Sequence, residues 1–454
     1  STEQQAALDR AATLLDGMPI SGYYSGSWVA IATITLAGDL SSLATLVDSM
    51  KGFSPPSPPS PPPSPPSPWP MPPAPSSPPI PPPPPSPPPS PAHPPQSGRL
   101  ANLFELSQAF YVNPTLVANL DTSIATASGT TRDNLRTMQT VPSAFWIDRK
   151  DKIWGNTTNH LQGILAHAAS QSPPPLVVFM LYDLPNRDCH AIASNGEICC
   201  HYKAGTASVS HPNGQCDFLQ ASDCATGLAE YKTEYVDQFA AVLALYDGRV
   251  PVAVVIEPDS LPNLATNLGN PNCANNATGN AYKQGVPYAV KALKKAAPSS
   301  TVYLDAAHGG LLGWDNNAQA FAKLVADMRV TQHLRGFTSN VANYQALGSP
   351  CAAAAFEDKL AAYCKAHAAE PCCSDPCGLI GQWNSGNNEY NYVQTMTKAM
   401  KGAIPGFTPH WLIDTGRAGV ADMRRDCSNW CNIRGAGVGI APTANTSLPG
   451  VVDA

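Results

Sequence analysis

The sequence has no cluster of basic residues. Its 27 lysines and arginines are spread among 33 acidic residues, giving a net charge of −6 and a pI near 5.9. Polyanions are bound by concentrated positive surface, so nucleic acid and anionic membranes are poor candidate partners. Long apolar runs are also missing: the most apolar stretch, Trp28 to Val47, is broken by Gly38-Asp39 and by serines, and reads as helix or strand, not as a membrane span. There is no phosphate loop, because Gly435-Ala-Gly437-Val-Gly439 follows Cys431-Asn432 and not a strand entering a helix. No GxSxG elbow accompanies Ser194 or Ser260, which removes the usual support for a serine nucleophile. No HxH or HExxH spacing occurs either, so neither a metal nor a cofactor is expected, although Asp183, Asp188, His190, Asp305 and His308 could supply ligands. Ser1 opens no signal peptide, and any leader is expected to be removed or to lie outside this sequence.

Proline and cysteine are in excess. Most of the surplus among 48 prolines falls between about Ser54 and Ser97, where SPP and PPPPP blocks cannot bury apolar surface. Residues 54–97 are therefore expected to form a polyproline II linker. At 3.1 Å per residue it would reach roughly 130 Å as a semi-rigid rod. The block resembles the serine-proline segments of hydroxyproline-rich cell-wall glycoproteins, which implies wall or matrix association. Ahead of it, residues 1–53 form a small segment carrying no nameable chemistry. The 13 cysteines point to an oxidising compartment, and the sequons at Asn156, Asn276 and Asn445 fit a secreted, extracellular or cell-wall protein. An odd count leaves at least one thiol without an internal partner.

The organising stretch is PVAVVIEPDSL, Pro251 to Leu261, which reads as a buried strand delivering Glu257 and Asp259 at its C-terminal end. Partial desolvation there favours the neutral form of a carboxyl and raises its pKa toward values useful for proton donation. Capping a helix, or pairing with an arginine, is the plainer reading of each. The pattern recurs, however. Strands are expected over Ser143 to Arg149, Leu176 to Leu184, Thr301 to His308, Leu334 to Tyr344 and His410 to Arg417. Helices are expected over 157–169, 227–246, 280–296 and 318–328, with mostly helical sequence over 102–141 and cysteine-rich insertions over 199–224 and 349–388. Such alternation implies an α/β fold of parallel βαβ units, and six in series favour a closed, TIM-like β/α barrel over an open sheet.

In such barrels the reacting groups gather at the C-terminal strand ends. Those ends offer Asp148, Asp183, Asp188, Asp259, Asp305, His308, Asn343 and Asp414. A ring of carboxylates suits glycoside hydrolysis, which needs a protonated carboxyl beside the leaving oxygen and a second carboxylate. Trp146, Trp314 and Trp430 stand where sugar-stacking platforms would be, although any one of them could be ordinary core.

The ordered motifs YDLPNRDC (182–189), ASNGE (193–197), IEPDSL (256–261), YLD (303–305) with His308, NVANY (340–344), DTGR (414–417) and WCN (430–432) resemble glycoside hydrolase family 6. The family comprises cellobiohydrolases and endoglucanases that cut β-1,4-glucan with inversion, and the resemblance covers about Asn102 to Ala454. It implies Asp259 as general acid and Asp188 as the aspartate that keeps that acid protonated and acts on water through a relay. Tyr182 would crowd the distorted sugar, Ser194 would help hold the water, and Arg187 is the neighbouring arginine of the same motif. Trp146 and Trp430 would be platforms on opposite sides of the scissile bond. Asp305, His308 and Asn343 would bind hydroxyls, with Asp148 and Trp314 also in the substrate-binding set. Cys189 and Cys273 would form a disulfide.

Three departures qualify the match. The sequence stops at Val451-Val-Asp-Ala454, where the family continues into a Lys-Pro-Gly-Gly-Glu segment. A catalytic barrel spanning 98–454 is therefore expected to be distorted and partly open, with the family partner of Cys431 beyond the endpoint. Leu311 stands where the family often has tryptophan, so long-chain binding should be weaker. The cysteine-rich insertions are expected to border the cleft or form a partner surface. The function expected is a secreted inverting hydrolase of β-1,4-glucan. The alternative is a catalytically impaired wall or matrix glycoprotein that uses the barrel for glycan binding or assembly.

Overall fold

Six parallel strands lie side by side in chain order: β1 (Phe145–Ile147), β2 (Val177–Leu181), β3 (Val252–Ile256), β4 (Thr301–Asp305), β5 (Gly336–Ser339) and β6 (His410–Ile413). The computed structural model describes residues 101–454 apart from 210, 221–222, 268, 342, 421–422, 424–426, 428–432 and 434. The N-terminal segment, the proline block, Trp430 and Cys431 lie outside the described residues.

Strand register explains why these sequences read as near-continuous apolar runs. Ile147, Leu181, Ile256, Leu304, Phe337 and Trp411 are successive partners across the sheet, and all six belong to the main core under the helices. The neighbouring row runs through Trp146, Met180, Val255, Tyr303, Gly336 and His410 on the opposite face. Both faces are covered, so alternation in polarity is lost. Between the strands run helices over Leu161–Ala169, residues 225–246, Asn276–Ala296, Asp315–Met328 and Glu389–Ala403. The second of these passes through a π turn at Tyr231–Val236, which places Tyr231 and Tyr235 beneath the strand ends. No element was expected from sequence over 389–403, and the helix there fills the β5–β6 crossover.

Among the described residues β1 and β6 do not pair, so the barrel is distorted and partly open, as expected from the sequence. Residues 451–454 instead run beside β6: Trp411 N donates to Val451 O at 2.9 Å, Asp453 N to Trp411 O at 2.7 Å, and Ile413 N to Ala454 O at 3.0 Å. Asp453 turns inward to Arg335 at 2.7 Å and accepts the Tyr303 hydroxyl at 2.7 Å. Inside the curved sheet is a cavity of about 450 Å³, lined by Trp146, Val178, Met180, Val255 and Leu412 and rimmed by Asp414 and Arg417.

Candidate active site

The C-terminal strand ends are built from backbone that most residues avoid. Among the described residues nine non-glycine positions have positive φ, and six of them follow β2 to β5 directly: Asn186, Asp188, Glu257, Asp259, Ala307 and Asn340. Each costs of order 1–3 kcal/mol, so the surroundings must hold them. After β3 the holding groups are visible. Asp259 N donates to Asp305 Oδ2 at 2.9 Å, Ala307 N donates to the same oxygen at 2.9 Å, and Thr338 Oγ1 donates to Asp305 Oδ1 at 3.0 Å.

Asp259 occupies the N-cap position of the helix Ser260–Thr266, yet its side chain makes no capping bond. Its carboxyl is left facing the site, half-buried. Burial first, then the charges of Asp305 and Asp188, push its pKa up to about 8. It is therefore a neutral acid at pH 7. Asp305 is itself raised to about 6, because burial outweighs the three bonds that favour its charge.

Asp188 stands after β2 on a left-handed turn, and Oδ2 accepts from Ser194 N at 2.6 Å and from Ser194 Oγ at 3.2 Å. The Ser194 hydroxyl also lies 3.0 Å from Tyr182 Oη. Since Ser194 gives its proton to the carboxylate, Tyr182 must donate to Ser194, and the chain runs Tyr182 to Ser194 to Asp188. Burial pushes the Tyr182 phenol up, keeping it a donor. Its ring has Trp146 edge-on at a centroid distance of 5.2 Å, with the Arg187 guanidinium 4.3 Å from the ring centre. Cys189, next to Asp188, is bonded to Cys273, tying the Asp188 loop to the segment after Asp259.

Two positions expected to bind sugar do something else. Asp305 is 1% exposed with both oxygens engaged by Asp259, Ala307 and Thr338, so it braces the backbone that presents the acid. Arg187 is 5% exposed. It donates to the carbonyls of Tyr182, Asp148 and Ser194 and pairs with Asp183 at 3.3 Å, stapling the ends of β1 and β2 to the serine loop.

The remaining positions are half-buried. Asp148 pairs with Lys152 at 2.5 Å, His308 precedes the short helix Gly309–Leu312, and the Asn343 side-chain oxygen Oδ1 accepts from Tyr344 N at 2.9 Å. Trp314 donates its indole N–H to Gln382 O at 3.0 Å. Asn156, Asn276 and Asn445 are exposed. Among the described residues the one group of His, Cys, Asp or Glu close enough to share an ion is Cys351, Cys372 and Cys373, whose sulfurs are all in disulfides.

Glu257 is the residue whose role the sequence did not reveal. Buried behind the site, it accepts from Asp183 N at 3.1 Å, Leu184 N at 3.3 Å and Tyr231 Oη at 2.8 Å, so it fixes the start of the β2 loop. Burial outweighs those bonds and pushes it up to about 7. The EPD motif signalled a carboxylate here. That it points back across β2 could not be read from it.

The chain is similar to Exoglucanase 3 of Agaricus bisporus, 39% identical over 310 residues, covering 67% of this chain and 56% of the relative. It is 35% identical over 301 residues to the 1,4-beta-D-glucan cellobiohydrolase CEL6C of Podospora anserina, covering 65% of this chain and 62% of that one. It thus spans less than two thirds of the length of either relative. Among solved structures, the catalytic core domain of the cellobiohydrolase Cel6A from Chaetomium thermophilum superposes with a TM-score of 0.59 at 28% identity, covering 78% of this chain and 84% of that one. CcCel6C, a glycoside hydrolase family 6 enzyme from Coprinopsis cinerea, gives the same TM-score of 0.59 and 28% identity over the same shares. The family model described as glycosyl hydrolases family 6 matches residues 106–207 and 216–454, so the chain belongs to that family.

Proposed function

We propose that the protein is a secreted hydrolase of β-1,4-glucosidic bonds in cellulose or related glucans, acting with inversion. The observation that carries this is Asp259: a carboxyl left uncapped just past β3, its backbone held by Asp305, with burial and the charges of Asp305 and Asp188 raising its pKa. Asp259 gives its proton to the glycosidic oxygen as the bond to the sugar carbon breaks. Water attacks that carbon from the opposite face. Inversion needs about 6.5–9.5 Å between acid and base to admit the water, or a base acting through a water chain. The Tyr182–Ser194–Asp188 chain supports the second arrangement, with Ser194 holding the water and Asp188 taking its proton. Trp146 would pack a sugar ring beside Tyr182, with Trp430 on the other side of the bond. His308, Asn343 and Asp148 would reach hydroxyls.

The relatives named as cellobiohydrolases and exoglucanases support the choice of β-1,4-glucan. Six disulfides among the described residues and three exposed sequons support an oxidising, extracellular location. The proline block, residues 54–97, would act as the rod that joins the catalytic barrel to residues 1–53 and to the wall or matrix. The test is reducing-end release from cellopentaose by the full-length protein and its Asp259→Ala variant. Loss of at least about a hundredfold in the variant is expected for a general acid, and undiminished release would remove the assignment.

A further inference from the structure

The second cysteine-rich insertion, residues 349–388, has a small core of its own, in which Leu360 and Ile380 pack among bonded cysteines. Three disulfides, Cys351–Cys372, Cys364–Cys373 and Cys377–Cys427, make it stiff. Its last stretch is seated on the turn after β4. Asn384 Nδ2 donates to Gly309 O at 2.9 Å, Ser385 N donates to Gly313 O at 2.9 Å, and the indole N–H of Trp314 donates to Gln382 O at 3.0 Å. The approach leaves no room for side chains: a Cβ on Gly309 would meet Gly386 O at 2.1 Å, and one on Gly313 would meet Asn384 Oδ1 at 2.1 Å. Residue 383 is thereby fixed relative to His308 and Trp314.

That residue is Trp383, which has φ of 64° and is 54% exposed. Glycine or asparagine would make this left-handed turn at lower cost. A large aromatic held there, mostly in water, contributes little to the fold in return. The Lys365 ammonium lies 3.4 Å from the ring centre and covers one face of the indole. A rigid, half-exposed indole with one face backed by a side chain is suited to receive the apolar CH face of a pyranose on the other. We propose that Trp383 is a sugar-binding platform that takes a β-glucan chain beyond Trp314, outside the catalytic residues. The choice of ligand rests on the glucan-hydrolase reading above. The location rests on the bond from the Trp314 indole to Gln382 O, which holds the residue next to Trp383 against Trp314.

The experiment compares the full-length protein with Trp383→Gly and Trp383→Phe in binding to acid-swollen cellulose and in kcat/KM on cellotetraose. Glycine suits the backbone at this position, so Trp383→Gly removes the ring without adding strain. Phenylalanine keeps a ring and controls for the fold. Trp383→Gly is expected to bind swollen cellulose about five- to tenfold more weakly, Trp383→Phe to lose less, and both to turn over cellotetraose as the parent does. Equal binding by Trp383→Gly and the parent overturns the platform, and so does a loss on cellotetraose as large as the loss on cellulose. If the parent binds cellulose without cleaving it, the hydrolase reading fails, while weaker binding by Trp383→Gly still supports the platform.

Discussion

The backbone N–H of Asp259 donates to the Asp305 carboxylate at 2.9 Å, so one buried group both holds the left-handed turn that presents the acid and adds its charge to the burial that raises the acid's pKa. In Asp305→Asn the amide carbonyl can keep both backbone bonds while Thr338 turns its hydroxyl to accept. The charge beside Asp259 is then gone and its pKa falls. The alkaline limb of kcat/KM, set in the parent near pH 8, is expected to move to lower pH. Asp188→Asn should move it less, because Asp305 exerts the larger effect of the two charges. A pH–rate series on the three proteins checks the order.

Stability should fall as pH rises. Asp259 titrates near 8 in the folded protein against 3.8 normally, and Glu257 near 7 against 4.5. Between about pH 4 and pH 8 the native state therefore binds more protons than the unfolded chain, and the slope of stability against pH is negative there. Urea unfolding at pH 5 and pH 8 should show the drop, and Asp259→Asn should make it smaller.

Gly309→Ala should destabilise by about 1–3 kcal/mol, as overpacking in a tight contact does. The added methyl would meet Gly386 O at 2.1 Å, and that oxygen belongs to backbone that cannot turn aside. Chemical unfolding measures the loss directly.

Breaking the ion pair beneath the sheet should cost more. Asp453 is 3% exposed and Arg335 9%, and they meet at 2.7 Å with Tyr303 and His410 around them. Burial alone would raise the Asp453 carboxyl, but bonds from Arg335, His410 and Tyr303 hold it below its usual value. Asp453→Ala takes the carboxylate away from a buried guanidinium, for an expected loss of about 3–5 kcal/mol. The contribution of this carboxylate should also fade as acid protonates it, so the gap between parent and variant should narrow at low pH.

The strands were legible because parallel strands covered on both faces become short apolar runs, as in the VAVVI of β3, where all five residues are buried. The acid was legible because it follows such a run. The helix Glu389–Ala403 was harder to see. Its first turn buries Glu389 and Asn391 for their hydrogen bonds to Gly309 and Cys351, so polar residues stand where an apolar stripe would announce a core-facing helix. The inward direction of Asp305 depends on its register with Thr338 of β5, and the backward turn of Glu257 on the amides of β2, neither of which is local in sequence. Pairings such as Cys377–Cys427 likewise follow from proximity in space and not from spacing.

One measurement bears on the proton donor and the water path together: proton NMR of the first product released from cellotetraose by the full-length protein, with Asp259→Asn as control. The account predicts an α-configured reducing end that later mutarotates, and no release by the variant. A β-configured first product, or release by Asp259→Asn at the parent's rate, would contradict it.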